Sequence, residues 1–319
     1  MDEHNWVGKR ALVTGGMGFI GSHLVKQLTM AGAIVSVLDL ASTVEEGLFA
    51  SPTDNIELLN TDIRQIQWER ELSARHFDSI FHLAANAYVP PSVADPTFDC
   101  ELNFGSTFRL IEGLRKLQWQ GVLVYASSAA VYGDAARMPI SETDPTIPIS
   151  PYGVGKLAAE RYIAVFSRLY GLRAASLRLF SAYGPGQRKQ VVYDLLEKLS
   201  HDPSELHMHG NGSQVRDFVY VDDVAQAAMT VAERGVLQGE VYNVGSGESH
   251  TIHELATHLC SLLGVRPTFI YAGAVRPGDP EQLSVDMGKL TSLGYRPATP
   301  FDKGLARTVE WFQASRDIL

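Results

Sequence analysis

Short runs of consecutive apolar residues alternate along this chain with stretches in which apolar positions recur every three or four residues. Ala11-Leu12-Val13 is the first run, and after it Ile20, Leu24, Val25 and Leu28 fall at helical spacing. Ala33-Ile34-Val35-Ser36-Val37-Leu38 is the second. Further strand-like runs stand at Ile56-Glu57-Leu58-Leu59, Ser79-Ile80-Phe81-His82-Leu83, Val122-Leu123-Val124-Tyr125 and Ala174-Ala175-Ser176-Leu177-Arg178-Leu179-Phe180. This alternation predicts an α/β fold, a Rossmann-type doubly wound parallel sheet. In such sheets ligands sit beyond the carboxyl ends of the strands, and Asp39, Asp62, Asn86, Ser127 and Ser128 collect there.

After Phe180 the texture changes. Tyr183-Gly184-Pro185-Gly186-Gln187-Arg188-Lys189 precedes a helical Val191 to Leu199, and Asn211-Gly212 precedes a strand-like Phe218-Val219-Tyr220-Val221. Asp222-Asp223 then suits the cap of a helix running to about Ala232, and Val241-Tyr242-Asn243-Val244 reads as another buried strand. The pattern predicts two domains: residues 1–183 plus 217–247 for the sheet, and 184–216 plus 248–319 for a smaller, discontinuous α/β substrate domain. No internal repeat or low-complexity tract interrupts it.

The first strand ends in Thr14-Gly15-Gly16-Met17-Gly18-Phe19-Ile20-Gly21, and the second ends at Asp39, eighteen residues after Gly21. Glycines at this spacing let backbone approach a pyrophosphate, the following helix presents its N-terminus to it, and a carboxylate at the next strand end takes the ribose hydroxyls. Asp39 also repels a 2′-phosphate, and no arginine follows it in Leu40-Ala41-Ser42-Thr43, so NAD is favoured over NADP.

Tyr152 and Lys156, four residues apart in Ser150-Pro151-Tyr152-Gly153-Val154-Gly155-Lys156, make a proton-abstracting pair on one helix face. A tyrosine has an unperturbed pKa of about 10, so it must fall by roughly 3 units to act as a base near neutrality. One nearby cation supplies about 1 to 3 units, which makes Lys156 alone marginal and calls for a second positive charge such as the oxidised nicotinamide. Hydride leaves carbon readily when the hydroxyl proton is drawn off in the same step, so a hydroxyl partner must converge on the same oxygen. Ser128 is the candidate.

Composition narrows the rest. At 319 residues and 45% apolar content, the chain is long enough for a sizeable core. Cys100 and Cys260 lie far apart and no histidines cluster with them, so neither a disulfide framework nor a metal site is expected, and a cytoplasmic setting fits. Met1 to Trp6 is short and polar, and no run reaches the length of a membrane span. The net charge of −9 argues against a nucleic-acid partner but leaves room for an anionic small substrate. His207 and His209 alternate in a strand-like stretch, while His253 and His258 sit on a surface helix; all four read as solvated.

With these segments in hand, the chain resembles the extended short-chain dehydrogenase/reductase superfamily, in its NAD-dependent epimerase/dehydratase branch. The resemblance covers nearly the whole length and rests on Thr14 to Leu24, Thr61-Asp62-Ile63, His82 to Ala85, Ser127 to Gly133, Tyr152 to Lys156, Val215 to Phe218 and Asn243 to Gly247. It implies that Asp62 and Ile63 frame the adenine, that Leu83, Ala84, Ala85 and Asn103 lie along the cofactor with Phe180, and that Ser128 holds the sugar hydroxyl with Tyr152. It also implies that Arg216 and the Arg276-Pro277-Gly278-Asp279 segment grip a nucleotide-sugar diphosphate, which suits the planar fork of arginine. The helix carrying Phe104, Phe108, Ile111 and Leu114 and the helix carrying Tyr152 would form a homodimer interface.

Departures from the family pattern narrow the reaction. Similar 4,6-dehydratases carry an Asp-Glu pair where this chain has Ala129-Ala130, so that dehydration lacks its acid and base. Ser181 stands where the branch usually has asparagine, and Leu283 where some 4-epimerases have a tyrosine that limits bulk at C2 of the sugar. The expectation is an NAD-dependent nucleotide-sugar 4-epimerase, with a UDP-hexose as substrate because uridine is commonest among similar proteins. Its rivals are a dehydratase, decarboxylase or reductase sharing the 4-keto step, and a non-catalytic NAD-sensing protein.

Overall fold

The computed structural model describes residues 6–40, 56–273 and 281–316. Strands β1 (Arg10–Thr14), β2 (Ile34–Asp39), β3 (Ile56–Asn60), β4 (Ser79–His82), β5 (Val122–Ser128) and β6 (Ala174–Leu179) come first. β7 (Ser181–Tyr183), β8 (Glu205–Met208) and β9 (Val215–Tyr220) build a second lobe, β10 (Gln238–Val244) returns to the first, and β11 (Ser249–Thr251), β12 (Thr268–Tyr271) and β13 (Gln282–Leu283) belong again to the second. The helices are α1 (Phe19–Met30), α2 (Trp68–Arg75), α3 (Val89–Ala94), α4 (Pro96–Cys100), α5 (Ser106–Lys116), α6 (Pro151–Tyr170), α7 (Gln190–His201), α8 (Val221–Arg234), α9 (Ile252–Leu263), α10 (Gly288–Ser292) and α11 (Phe301–Arg316). A π-helical turn, Glu101–Gly105, joins α4 to α5.

Seven parallel strands form the main sheet in the order β10-β6-β5-β4-β1-β2-β3. The order reverses beside β1, whose Thr14 pairs with Leu38 of β2 on one side and His82 of β4 on the other. A crevice opens beyond the strand ends at such a reversal. Because successive strand residues point to opposite faces, Ala11 and Val13 pack with α1 and α8, while Leu12 packs with α2, α5 and α6. A separate core under α7, α9 and α11 holds the second lobe together.

The run 218–221 departs from expectation. β9 does not join the main sheet but pairs with β7, β11 and β13, so the boundary expected at residue 217 falls inside a strand of the second lobe. Nor do Asp222 and Asp223 cap α8: Tyr220 holds that position, and the Asp223 carboxylate instead accepts from the Ala298 and Thr299 N–H groups at 2.9 and 3.1 Å.

Helix α6 is specified locally at both ends. Ser150 caps it by accepting the Gly153 N–H at 3.2 Å, Pro151 opens the first turn, and Gly171 closes it with φ +71°. Tyr152 is thereby fixed one residue into a 20-residue helix that lies against β5 and β6. Among the described residues no helix is long and apolar enough to cross a membrane, and no group of three or more potential ligands could hold a metal.

Candidate active site

The glycine turn packs backbone against backbone. A β-carbon on Gly15, which has φ +71°, would lie 2.7 Å from the Ala84 nitrogen, and one on Gly21 would lie 2.1 Å from the Gly15 carbonyl oxygen. Gly18 closes the turn with its N–H on that same carbonyl at 3.1 Å and stands at the N-cap of α1 with no side-chain cap. The first turn of α1, Phe19-Ile20-Gly21, carries no acid, so its free N–H groups and the positive helix end face an incoming anion. Asp39 accepts the Met17 N–H at 2.8 Å and thereby sits against the turn. Across the crevice the Leu83 N–H donates to the Thr14 carbonyl at 3.0 Å and the Ala84 N–H to Thr14 Oγ1 at 3.2 Å, which brings Leu83, Ala84 and Ala85 alongside. An anion cradle with a carboxylate at its rim fits the pyrophosphate and ribose of a dinucleotide.

Other residues assigned to the cofactor are held by partners of their own. Both carboxylate oxygens of Asp62 accept from the Arg64 guanidinium, the shortest contact being 2.6 Å, and this pairing holds the Asp62 carboxyl below its usual range. Ile63 and Phe180 are buried. The Asn103 side chain accepts the Asn86 N–H at 3.0 Å and donates to Asp99 at 2.7 Å.

Ser128 ends β5 and Tyr152 begins α6, which brings the two hydroxyls together over the crevice. Burial pushes the Tyr152 phenol up to about 12, against a downward pull from its hydrogen bond with Ser128 and with a further upward push from Asp99. Burial also pushes the Lys156 ammonium down to about 7, while Asp99 and Glu160 act upward. Lys156 is anchored by donating to the Ala126 carbonyl at 2.8 Å, with Nζ 4.9 Å from the Tyr125 ring centre and 5.8 Å from that of Tyr152. The chain's own groups thus hold the phenol protonated, and the need for a second cation is larger than the spacing of Tyr152 and Lys156 alone implies.

A cavity of about 290 Å³ runs from these hydroxyls into the second lobe. Ser181, Arg216 and Leu283 line it with Ser128 and Tyr152, and Ala129-Ala130 present methyl groups beside the hydroxyl pair. Arg216 is buried on β9, with Nη1 donating to the Val215 and Glu281 carbonyls at 2.8 and 3.2 Å. Arg276 and Asp279 lie outside the described residues. His209, read from the sequence as solvated, is exposed yet lines the same cavity.

Several residues that shape the site escaped the sequence reading. Glu160, two turns after Tyr152 on the same face of α6, forms a buried ion pair with Arg178 of β6 at 2.8 Å and accepts from the Ser127 hydroxyl. Arg178 donates to the Tyr132 hydroxyl at 2.8 Å, and Tyr132 to Asn243 at 2.7 Å. This network ties the end of β5 to α6, β6 and β10. The i, i+4, i+8 spacing of Tyr152, Lys156 and Glu160 was the available signal. Asp217 accepts the Ser246 and Gly247 N–H groups at 2.6 and 2.8 Å and so fixes the turn after β10; burial pushes its carboxyl up to about 6.

Comparison with known proteins gives the same reading. The sequence model of the NAD dependent epimerase/dehydratase family matches residues 11–245. The UDP-glucose 4-epimerase of Mycolicibacterium smegmatis is 35% identical over 95% of this chain and 98% of its own. A crystal structure of UDP-glucose 4-epimerase with UDP-glucose from Thermotoga maritima superposes with a TM-score of 0.88 at 34% identity, over 96% of this chain and 99% of that one. A UDP-N-acetylglucosamine 4-epimerase from Methanobrevibacter ruminantium, in complex with UDP-N-acetylmuramic acid, gives 0.89 at 31% identity over 97% and 99%. Sequence, strand order and glycine cradle therefore agree that this chain belongs to the NAD dependent epimerase/dehydratase family.

Proposed function

We propose that the chain is an NAD-dependent nucleotide-sugar 4-epimerase acting on a UDP-hexose. The observation that carries this reading is the meeting of Ser128 and Tyr152 in one cavity at the strand ends, with Lys156 buried 5.8 Å from the Tyr152 ring centre and with Ala129-Ala130 offering neither acid nor base in the same lining. Gly15, Gly18, Gly21 and Asp39 would hold NAD, which when bound supplies both a reversible hydride acceptor for C4, by way of a 4-keto sugar, and a second positive charge near the Tyr152 phenol.

Tyr152 takes the proton of the 4-hydroxyl and returns it to the same oxygen, so the protein ends each turnover in the protonation state in which it began. Ser128 holds that oxygen, and Lys156 stabilises the phenolate. Arg216, from β9, supplies a planar fork for the diphosphate, with Arg276 and Asp279 assigned to the same role. On this reading the seven-stranded lobe serves the cofactor and the second lobe the nucleotide-sugar. The reading includes a homodimer, supported by an exposed apolar stripe on α6, and a cytoplasmic setting, supported by the free thiols of Cys100 and Cys260.

Incubation with UDP-glucose, UDP-N-acetylglucosamine and UDP-glucuronic acid, followed by mass spectrometry and NMR, tests it. Unchanged mass with inverted C4 is expected; loss of water or carbon dioxide replaces the epimerase reading with dehydration or decarboxylation. Tyr152→Phe is expected to retain NAD while turnover falls by a factor on the order of 10³ or more, and near-normal turnover would remove Tyr152 from the role of base.

A further inference from the structure

Behind the reacting pair lies a carboxylate that the proposed reaction does not use. Asp99, in the last turn of α4, is 1% exposed. Its Oδ1 accepts from the side-chain amides of Asn86 at 2.9 Å and Asn103 at 2.7 Å. Its Oδ2 is buried with no hydrogen-bond partner among the described residues. A free lone-pair face on a buried carboxylate is costly unless a positive charge compensates it through space. The oxygen faces α6 at Gly155: a β-carbon there would stand 3.7 Å from Oδ2, and the next residue is Lys156.

The groups around Lys156 leave Asp99 as its anion. From α6 itself come the Tyr152 phenol and Glu160, and the charge of Glu160 is matched by its ion pair with Arg178 of β6. From β5 comes the neutral Tyr125 ring. From β4 comes His82, held neutral by burial, which pushes its imidazolium down to about 3. We infer that Asp99 is a positioning residue for the Tyr152–Lys156 pair: its buried carboxylate is the fixed anion that holds Lys156 as an ammonium ion, and it thereby sets the pH range over which the pair works. Burial alone drives Lys156 toward the neutral amine, and Asp99 is the largest influence opposing that. Asp99 also acts upward on the Tyr152 phenol. The two asparagines hold the carboxylate in place, and the missing side chain at Gly155 lets α6 approach it.

The inference rests on the roles given above to Tyr152 and Lys156, and its sign is fixed. Removing an anion lowers the pKa of both neighbours, so both limbs of the pH–rate profile move to lower pH together. A single neighbouring charge moves a pKa by about 1 to 3 units, and a displacement of about one pH unit is expected, making Lys156 roughly tenfold less ionised at pH values above its midpoint. The test uses NAD-saturated Asp99→Asn and Asp99→Ser proteins, with pH profiles of kcat/KM and with titration of the Lys156 ¹³Cε signal, assigned by its loss in Lys156→Met.

The inference is supported if the ¹³Cε midpoint and both limbs move down together. Folded, NAD-retaining variants with lower activity but an unmoved midpoint overturn it, since a purely structural role predicts that result. Because the NMR titration needs no turnover, failure of every UDP-hexose to react would defeat the 4-epimerase reading and leave that titration able to decide the role of Asp99.

Discussion

Gly21 is where a single atom decides whether the cofactor cradle can exist. Its backbone angles are ordinary for a helix, so the requirement is one of space: a methyl group would meet the Gly15 carbonyl oxygen at 2.1 Å and the Gly16 Cα at 2.7 Å. Both neighbours are backbone, and Gly15 is itself pinned to the β2 end by its N–H on the Leu38 carbonyl at 2.8 Å. Gly21→Ala therefore has to push α1 away from the turn and misaim the N–H groups that receive the pyrophosphate. We expect NAD affinity to fall by a factor of ten or more in an equilibrium titration, and retention of normal affinity would show that the turn is not the cradle. This constraint is readable from sequence because it lies within seven residues. The orphaned oxygen of Asp99 is not, because nothing in Asp95-Pro96-Thr97-Phe98-Asp99 states which helix will pack above it.

The pairing of α6 with β5 and β6 shows what one element demands of its neighbours. Glu160 and Arg178 are each at most 3% exposed in their side chains, so each leaves a buried charge if the other is removed. Breaking such a pair costs about 3 to 5 kcal/mol, far more than an exposed pair would. Glu160→Gln should lower the unfolding free energy by roughly that amount in urea titrations, and should reduce turnover because Ser127, next to Ser128, is left with a neutral amide in place of its carboxylate acceptor on α6. A change below about 0.5 kcal/mol would mean that the network is dispensable for stability. The strands of the main sheet were legible from apolar runs, and α6 from the helical spacing of Tyr152 and Lys156. Sheet membership was not: Phe218-Val219-Tyr220 is as apolar as any strand of the main sheet, and only its partners β7, β11 and β13 place it in the second lobe. Asp62 carries a local contact that the resemblance did not state, since its carboxylate pairs with Arg64 two residues on.

At the scale of the whole molecule, the surface of α6 opposite the catalytic face carries an apolar stripe that a solitary chain has little reason to keep. Val154, Tyr162, Val165 and Leu169 are all exposed, Leu169 at 64%. Tyr162 packs at a tilt against Phe104 and edge-on against Phe108 of α5, both of them partly exposed, and Phe108 in turn meets Phe166, so the aromatic cluster begins in the core and ends at the surface. Two copies of α5 and α6 meeting about a twofold axis would bury this stripe against itself. Burying a single large apolar side chain contributes about 1.5 to 3 kcal/mol, and a carboxylate placed in such an interface costs more than the methyl groups it replaces. A Val165→Asp/Leu169→Asp double variant should therefore elute as a monomer by size-exclusion with light scattering where the parent elutes as a dimer, with the substitutions too exposed in the single chain to unfold it. A parent that is a stable monomer at micromolar concentration would refute the interface. Because α6 also carries Tyr152 and Lys156 on its other face, a monomer that forms should retain NAD, with any loss of turnover traceable to loosening of this one helix.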